Sequence, residues 1–356
     1  MDDIKKLKEL RKEIDEIDKR ILDLLDERGR LVVKIGKIKR RVGIESFSPE
    51  REKEIFEMLK KRKGILSTEA LKVIYREILS SCRRLEKPIR VCYLGPEGSF
   101  THQAANIKFG SQVEYRSVDS IEDVFAEVEH GRCDYGVVPV ESSLEGMVTR
   151  TLDMFIESNN KINSEILLPI SHCLLSNYDI NSINIIYSHP QAIAQCRGWI
   201  KKNLPLAEIK ETSSTSEAAR IAAEEKNSSA IASSIAAKIY NLNIIDENIQ
   251  DRKETFTRFL VISKNSAGMS GNDKTSIMFS IQDRVGALYE ILKPFAMHGI
   301  NLTKIESRPS KRGLWDYYFF VDFEGHKNDK NVKEALNEIK KKCVFLKILG
   351  SYPKEL

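Results

Sequence analysis

A heptad repeat of apolar residues runs through the first forty positions and constrains the fold more than any other feature. It predicts a single helix over residues 3–41. The two apolar series on its face are Leu7, Ile14, Ile21 and Ile35, and Leu10, Ile17, Leu24, Leu31 and Ile38. Such a helix is too long to bury its stripe alone, so we expect partner helices or a second chain. Ser48-Pro49-Glu50 predicts a capped start for a second helix, and a third extends from Ser67 to about Glu86.

The composition is that of a globular protein. The 356 residues suffice for two or three domains, and no apolar run is long enough to predict a membrane span. The acidic N-terminus lacks the apolar core of a signal peptide, and the six cysteines are scattered singly, so we expect reduced thiols, a cytoplasmic location and no metal ion. Residues 1–87 hold 25 Lys and Arg against 18 Asp and Glu, which fits an anionic small substrate. A nucleic-acid-binding arm is the alternative, but too few aromatic residues are interleaved for it.

Beyond the helical part the sequence changes character twice. From residue 89 short apolar strands alternate with helical stretches, which predicts an α/β fold with a largely parallel sheet. A polar linker over residues 264–274 follows. After it, strands at residues 275–281, 301–309, 315–323 and 344–351 and helices at residues 286–298 and 331–341 give the βαββαβ order of an α+β, ferredoxin-like domain. We therefore predict three domains, over residues 1–87, 89–264 and 274–356.

One position on the heptad face carries a charge. Arg28 occupies a slot of the series that is otherwise apolar, and a charge on a buried stripe is costly unless it is paired. Lys39 lies eleven residues further on, on the same face and about 16 Å away. Two cations that face one interior point form a receptor for a dicarboxylate. The alternative is that Arg28 reaches solvent through its long stem and that Lys39 is solvated.

The motifs of this helical part resemble those of the all-helical chorismate mutases. They are Leu10-Arg11, Glu27-Arg28, Gly36-Lys37-Ile38-Lys39 and Pro49-Glu50-Arg51-Glu52. The resemblance covers about residues 5–87 and implies a Claisen-type rearrangement of chorismate to prephenate, without a cofactor. It implies that Arg28 and Arg11 bind the substrate carboxylates and that Lys39 donates to the ether oxygen. Glu52 then holds the ring hydroxyl, with Arg51 beside it.

This resemblance also implies more than one subunit. Arg11 lies about 25 Å along the helix from Arg28, so it cannot join the same site within one chain. A second subunit must supply it, and we expect a homodimer or a higher homo-oligomer.

Two positions depart from the pattern of the mutase family. Ser48 stands where members commonly have an acid, so helix capping is retained while a site contact is put in question. Glu86 stands where many members carry a glutamine beside the ether oxygen. Because an ionised carboxylate would repel the negative charge that develops there, Glu86 is expected to act protonated, as a catalytic donor. The alternative is a domain that is weakened at these two positions and serves mainly in dimerisation.

Polar segments mark the ends of the predicted central strands. They are Gly95-Pro96-Glu97-Gly98-Ser99-Phe100-Thr101, Val138-Pro139-Val140-Glu141-Ser142-Ser143, Ser188-His189-Pro190-Gln191 with Gln195-Cys196, and Thr257-Arg258-Phe259. Open α/β sheets bind ligands at strand ends, and the free N–H groups of a glycine-containing turn suit an anion. His189 precedes a proline, and a turn or capping role explains it as well as catalysis does.

Together these segments resemble prephenate dehydratase over about residues 90–263. The resemblance implies two α/β lobes around a cleft, similar to periplasmic solute-binding proteins. It implies loss of hydroxide and CO₂ from prephenate to give phenylpyruvate, without a cofactor. Thr257 is the expected proton donor or relay at the leaving hydroxyl. The substrate is expected to contact Glu141, Ser142, Ser188, Gln195 and Arg258. Arg258 has a structural role as its alternative, and Ser142 replaces an asparagine that the family usually has.

Residues 275–352 resemble the ACT regulatory domain that follows prephenate dehydratases. A glycine at a helix start lets a carboxylate approach backbone N–H groups, and apolar residues nearby accept an aromatic ring. The resemblance implies that L-phenylalanine binds between paired ACT domains of two subunits and inhibits the dehydratase. The expected effector contacts are Gly286, Ala287, Leu288, Asn301, Leu302, Glu306, Ser307 and Arg308. Without the resemblance, Gly286 is only a tight turn and Arg308 pairs with Glu306.

One alternative for the whole central part belongs to another class of protein. The two-lobed fold would also suit a small-molecule binding protein that performs no chemistry. Thr257-Arg258-Phe259 is the feature that argues against this reading, and formation of phenylpyruvate from prephenate would exclude it.

Overall fold

Three helices form the first part of the computed structural model, which describes residues 2–309 and 317–355. They are α1 (Asp2–Val42), α2 (Pro49–Lys61) and α3 (Thr68–Glu86). The predicted N-terminal helix is confirmed as one unbroken element. At the start of α3, Ser67 Oγ accepts a hydrogen bond from the N–H of Ala70 at 3.2 Å. Ser48 precedes α2, but its hydroxyl is bonded to the carboxylate of Glu50 instead of to a helix N–H, so the expected cap is corrected.

Only the last turns of α1 are packed against α3. Gly36 permits the contact, because a Cβ at this position would lie 2.5 Å from Cγ of Glu86. Every residue from 3 to 27 is exposed, and seam residues such as Ile14 and Leu24 are 55% and 63% exposed. An uncovered apolar stripe of this length is typical of a helix whose partner belongs to another chain.

The central part of the chain folds into two α/β lobes, as expected. The first lobe contains β1 (Arg90–Leu94), α4 (Phe100–Phe109), β2 (Glu114–Val118), α5 (Ile121–Glu129), β3 (Tyr135–Ser142), β4 (Gly146–Met147), α6 (Thr149–Glu157) and β5 (Lys161–Pro169). Residues 170–172 then lead into the second lobe.

The second lobe also alternates strands and helices, and the chain returns from it to the first lobe. It contains β6 (Cys173–Ser176), β7 (Ile185–Ser188), α7 (Pro190–Gln195), α8 (Arg197–Asn203), β8 (Glu208–Glu211), α9 (Thr215–Glu224), β9 (Ser228–Ala232), α10 (Ser234–Tyr240) and β10 (Asn243–Asp246). The chain returns through residues 247–255 and completes the first sheet with β11 (Phe256–Ser263).

Both sheets are mixed, which corrects the expectation of a largely parallel sheet. The first has the order β2-β1-β3-β11-β5, with β4 beside β3, and β11 is antiparallel to both its neighbours. The second has the order β10-β6-β9-β7-β8, and β6 is antiparallel to both its neighbours. The reason is the double crossing between the lobes. Each of β6 and β11 starts at the hinge, so it runs against the neighbouring strand, which ends on that side.

The C-terminal domain has the predicted βαββαβ order. Its elements are β12 (Asp273–Ser280), α11 (Ala287–Met297), β13 (Leu302–Pro309), β14 (Tyr317–Glu324), α12 (Lys330–Lys342) and β15 (Phe345–Pro353), with the sheet order β13-β14-β12-β15. The strand predicted over residues 315–323 is described from Tyr317 onward, because Trp315 lies outside the described residues. Both helices pack on one face of the sheet.

The other face of this sheet shares a core with the first lobe. Met278, Phe320 and Tyr352 are buried in one cluster with Ile162 and Leu260 of the first lobe. The C-terminal domain is therefore held against the central domain by apolar packing as well as by the linker.

Two further observations concern the described ranges as a whole. No helix in residues 2–309 and 317–355 is long and apolar enough to cross a membrane. In the same ranges no cluster of His, Cys, Asp and Glu side chains is arranged to hold a metal ion, and all six cysteines are free thiols.

Candidate active sites and effector site

The end of α1 and the end of α3 bring together two residues predicted for the rearrangement. The ammonium of Lys39 lies 3.3 Å from Oε1 of Glu86 and donates a hydrogen bond to the carbonyl of Ser46 at 2.8 Å. Glu86 is buried and Lys39 is half-buried. A cation and a carboxyl group thus share one site. Both can donate to a substrate oxygen when Glu86 carries a proton.

Arg28 lies on the same face of α1 and has unused hydrogen-bonding capacity. Its Nη1 atom is buried and has no hydrogen-bond partner among the described residues. A buried guanidinium N–H without an acceptor is costly, and an anion is the ligand that relieves this cost. Arg11 lies on the exposed half of α1, so a single chain does not bring it to Arg28, as expected.

The two predicted site residues on α2 are bonded to other partners. Glu52 accepts a hydrogen bond from Arg83 at 2.7 Å, and Arg83 also donates to the carbonyl of Phe109 in the first lobe at 2.6 Å. Burial raises the pKa of the Glu52 carboxyl above its usual range, against the lowering influence of Arg83. Arg51 is exposed and ion-paired with Glu54. Glu52 and Arg51 are thus engaged away from Lys39 and Glu86.

The predicted dehydratase residues of the first lobe meet at one edge of its sheet. β1 and β3 are parallel and end there, whereas the antiparallel β11 begins there. In the register of β3 and β11, Thr257 is opposite Ser142 and Arg258 is opposite Glu141. The ladder shifts register directly after Arg258, and an irregularity of this kind re-aims side chains at a sheet edge.

Glu141 is ion-paired with the C-terminal domain. Nζ of Lys304 on β13 lies 2.5 Å from Oε2 of Glu141. Next to it, Ser142 Oγ accepts a hydrogen bond from the N–H of Leu144 at 3.3 Å. The ion pair between Lys304 and Glu141 therefore places an ammonium group of the C-terminal domain one rung of the β3–β11 ladder away from Thr257. Thr257 is half-buried.

Arg258 is committed to the contact with the C-terminal domain. Its guanidinium donates to Glu165 at 2.8 Å, to Asp322 at 2.7 Å and to the hydroxyl of Tyr352 at 2.9 Å. Burial raises the pKa of Asp322, but Arg258 and hydrogen bonds prevail and hold it below its usual range. Of the two roles expected for Arg258, these contacts favour the structural one.

The second lobe presents its predicted residues around the start and end of α7. Ser188 is fully buried, and its hydroxyl donates to the carbonyl of Ile231 at 2.7 Å, so it is engaged within the second lobe. His189 caps α7, because its Nδ1 accepts from the N–H of Gln191 at 3.3 Å. At the other end, Gln195 lines a cavity of about 260 Å³ at the hinge.

The glycine-containing segment after β1 connects the two lobes. Ser233 Oγ donates to the carbonyl of Gly98 at 2.7 Å, and the hydroxyl of Tyr240 donates to the carbonyl of Glu97 at 3.2 Å. Gly98 has a φ of +84°, and a Cβ there would lie 2.7 Å from Oγ of Ser216. Only glycine combines this backbone conformation with so close an approach, so the segment holds the lobes together at the cleft.

The first group of predicted effector residues lines a cavity in the C-terminal domain. Gly286, with a φ of +80°, precedes α11, and together with Ala287 and Leu288 it lines a space of about 260 Å³. Tyr317 and Phe319 of β14 contribute aromatic walls to the same cavity. The site combines backbone N–H groups at a helix start with apolar surface, which suits an aromatic amino acid.

The second group lies on or beside β13. Leu302 packs with Leu288 in the core of the C-terminal domain, and Asn301 is exposed just before the strand. A register shift follows Leu302, after which half-buried positions alternate with exposed ones. The half-buried positions are Lys304, Glu306 and Arg308, and Ser307 lies on the exposed face.

Arg308, in the second group, is ion-paired with the first lobe. Its Nη2 atom lies 3.0 Å from Oδ1 of Asp153 on α6. The Gly286 cavity, by contrast, lies at the start of α11, on the helix-covered side of the sheet. Of the predicted effector residues, Leu302 thus shares the core of Leu288, whereas Arg308 contacts the first lobe, so the residues of β13 are divided between two places in one chain.

Two residues that the sequence patterns did not single out belong to these sites. Lys304 is bonded to Glu141, and His172 is bonded to Gln195. The signal for Lys304 was its place on a strand between two predicted effector positions, at the period-two spacing of one strand face. For a lone His172 in the short segment between β5 and β6 there was no such signal.

Comparison with known proteins covers the whole chain. Family models match for chorismate mutase type II over residues 10–87, for prephenate dehydratase over residues 91–267 and for the ACT domain over residues 275–341. A bifunctional chorismate mutase/prephenate dehydratase of Aquifex aeolicus is 54% identical over 359 residues, which cover 99% of this chain and 99% of that protein. The prephenate dehydratase of Methanocaldococcus jannaschii is 42% identical over 274 residues, 74% of this chain and 97% of that protein.

A solved structure matches the same two C-terminal parts. The crystal structure of a prephenate dehydratase from Arthrobacter aurescens, in complex with L-Phe, is 33% identical with a TM-score of 0.69, and the match covers 75% of this chain and 90% of that one. The resemblances found in the sequence are thus confirmed for all three parts. The chain belongs to the family of bifunctional chorismate mutase/prephenate dehydratases.

Proposed function

We propose that this chain carries out both reactions that its family name states and responds to the end product. The helical domain converts chorismate to prephenate, and the cleft of the central domain converts prephenate to phenylpyruvate. L-Phenylalanine at the ACT domain inhibits the second reaction. The observation that carries the proposal is the meeting of Glu141, Ser142 and Thr257 at one sheet edge, in a chain that is related over 99% of its length to a bifunctional enzyme.

The dehydratase reaction needs a proton at the leaving hydroxyl. The bond from the ring to its carboxylate breaks and CO₂ leaves, while the electron pair enters the ring and expels the hydroxyl as water. Thr257 donates or relays the proton, and because a threonine hydroxyl is a weak acid, the cleft must polarise it. Glu141, Ser142, Ser188 and Gln195 orient the substrate. Arg258 acts by holding β11 against the ACT domain.

The mutase reaction needs a compact substrate pose and stabilisation of the breaking ether oxygen. Arg28 binds a carboxylate through the buried Nη1 atom that has no acceptor. Lys39 and protonated Glu86 donate to the ether oxygen. Glu52 and Arg51 are the further substrate contacts, and each must exchange its present partner for the substrate.

A homodimer completes the mutase site. The uncovered seam of α1 pairs with the seam of a second copy, which buries residues such as Ile14 and Leu24. Arg11 of the partner subunit then reaches the carboxylate that Arg28 leaves unbound. The basic surplus of the helical part supports attraction of this dianionic substrate.

The ACT domain carries the effector site. The cavity at Gly286, Ala287 and Leu288 accepts phenylalanine, with its carboxylate toward the N–H groups at the start of α11. Asn301, Leu302, Glu306, Ser307 and Arg308 contribute from the paired ACT domain of a second subunit. The L-Phe complex of the Arthrobacter protein supports this choice of ligand. The free thiols of all six cysteines support a cytoplasmic setting.

One coupled assay tests the proposal. Chorismate is supplied to the full chain, and the loss of chorismate and the formation of phenylpyruvate are followed separately. We expect both, and we expect added L-phenylalanine to slow the second. Phenylpyruvate from prephenate without loss of chorismate would leave the helical domain as a dimerisation element. Prephenate binding without phenylpyruvate would reduce the central domain to a binding module.

A further inference from the structure

The first crossing between the lobes contains a buried histidine. His172 is 3% exposed and lies in the short segment that joins β5 to β6. Its backbone N–H donates to Oε1 of Gln250 at 3.0 Å, and its backbone carbonyl accepts from the N–H of Ile249 at 3.0 Å. These bonds connect the first crossing between the lobes to the second. The ring of Phe100, from the segment that connects the lobes, stands edge-on to the imidazole at 5.3 Å. The backbone bonds of His172 and the ring of Phe100 therefore hold the imidazole in place at the hinge.

The imidazole has one polar partner among the described residues. Its Nε2 lies 2.9 Å from Oε1 of Gln195, whereas its Nδ1 is buried without a hydrogen-bond partner in the same part of the chain. A buried acceptor without a donor costs less than a buried N–H without an acceptor, so the proton belongs on Nε2. Burial lowers the pKa of His172, and the bond to Gln195 opposes this only in part, so the ring is neutral at neutral pH.

This assignment fixes the direction of the neighbouring amide. A primary amide can turn by 180° and exchange its donor and acceptor ends unless a partner of defined polarity holds it. Because Nε2 of His172 donates, the carbonyl oxygen of Gln195 must face the hinge and its NH₂ group must face away from it. Gln195 lines the hinge cavity of about 260 Å³, together with Leu144 and Thr255.

We propose that His172 is a positioning residue of the dehydratase, which holds the amide of Gln195 so that its NH₂ group is presented to an anionic or carbonyl oxygen of the substrate. The inference rests on the proposed function, because it deepens the role of Gln195 in the cleft. Asp251, the carboxylate of this cavity, is already bonded by the N–H groups of Gly198 and Trp199 at 3.0 and 3.3 Å. It is therefore engaged elsewhere and does not compete for the amide.

Two substitutions at His172 remove the imidazole ring but differ in whether they keep a hydrogen-bond donor for Gln195. His172→Gln retains an N–H donor near the position of Nε2, whereas His172→Asn places its amide near Nδ1 and leaves Gln195 without a donor. We expect His172→Asn to raise KM for prephenate by at least about tenfold with a change in kcat of less than about threefold. His172→Gln is expected to stay within about threefold of the wild type. Thermal unfolding of each variant provides the control for folding.

A double-mutant cycle shows whether His172 acts through Gln195. In the Gln195→Ala background, His172→Asn is expected to have no further effect on KM. The inference is overturned if His172→Asn behaves like the wild type, if a folded His172→Gln variant is as impaired as His172→Asn, or if the effect persists without Gln195.

The proposed function and this inference can fail separately. Turnover of prephenate by the wild-type chain tests the former. Calorimetric binding of prephenate by the two His172 variants tests the latter, with at least about tenfold weaker binding expected for His172→Asn only. Equal binding by both variants would reject the inference even if the wild type showed no turnover, and no binding by the wild type would reject both.

Discussion

At the scale of single residues, the helical domain contains one buried and one half-buried carboxyl group with different partners. Glu86 faces Lys39 at 3.3 Å, and Glu52 faces Arg83 at 2.7 Å. A carboxyl group that donates a proton and one that is ion-paired with an arginine look alike in a sequence. The structure gives them different partners, and each can be tested by replacement with the isosteric amide.

Glu86→Gln is expected to retain the mutase activity, because the amide supplies the hydrogen-bond donor that the carboxyl group supplies in the proposed mechanism. Turnover of chorismate should stay at the level of the wild type or rise by up to roughly tenfold, since the amide carries no negative charge to repel the one that develops on the ether oxygen. Glu69→Gln, at an exposed position of the same helix, is the matched control. A large loss of turnover in a folded Glu86→Gln variant would contradict the assignment of Glu86 as donor.

Glu52→Gln is expected to change how stability depends on pH. Burial raises the pKa of Glu52 in the folded state, so the folded wild type loses stability relative to the unfolded chain as pH rises through that pKa. The amide does not titrate. The unfolding free energy of the wild type minus that of the variant should therefore fall as the pH rises from 4 to 8. Denaturant unfolding at several pH values measures the difference, and a constant difference would contradict the shift.

At the scale of elements, β11 and β13 link the dehydratase edge to the C-terminal domain. Arg258 on β11 bonds to Asp322 of β14, and Lys304 on β13 bonds to Glu141 of β3. Both contacts fall on the rung next to the one that pairs Thr257 with Ser142. A displacement of β13 by an effector would therefore act directly on Glu141, without a long chain of intermediate residues.

Lys304→Gln is expected to weaken feedback inhibition. Removal of the ammonium frees Glu141 from β13, so the half-inhibitory concentration of L-phenylalanine should rise by about fivefold or more, within the usual range of coupling energies. Calorimetry should find phenylalanine binding almost unchanged. Lys304→Arg retains the charge, and Lys293→Gln makes the same replacement at an exposed position of α11. Both controls should respond like the wild type, and unchanged inhibition of Lys304→Gln would contradict the coupling.

At the scale of the whole molecule, the two ends of the chain differ in how they are held. The C-terminal domain shares a core with the first lobe and is bonded to it through Arg258. Its removal would take Asp322 away from Arg258 and Lys274 away from Glu165 and would expose the shared apolar core, so feedback is better tested by point variants of the full chain. The first half of α1, in contrast, extends its apolar seam into solvent.

Leu24→Glu is expected to separate the two activities. A carboxylate on the seam opposes pairing with a second copy, so analytical ultracentrifugation should detect a shift toward monomer. Mutase turnover should fall by roughly a hundredfold or more, because Arg11 of the partner subunit is withdrawn. Prephenate turnover should stay within a few fold. Leu22→Glu makes the same change on an exposed residue off the seam and serves as the control. Retained mutase activity in a monomeric Leu24→Glu variant would refute the shared site.

What could be read from the sequence depended on local periodicity and on short motifs. The heptad spacing predicted α1, because a helix repeats its face every three to four residues whatever it packs against. Polar segments at strand ends predicted the edge that carries Glu141 and Ser142, because strands of one direction end on one side of a sheet. The direction of β11 was missed, because it depends on a return from the second lobe that leaves no local trace.

Local sequence was enough to predict the three parts, their order and the residue types available for chemistry. Which side chains are free to use that chemistry depends on the packing of the folded chain. Arg258 is bonded to Asp322, Lys304 holds Glu141, and the donor of His172 sets the direction of Gln195. Each of these bonds joins residues from different elements, and such pairings are set by how whole sheets and helices pack. Periodicity within a helix or strand predicts which of its faces is apolar. Which other element packs against that face depends on the free energy of the complete fold.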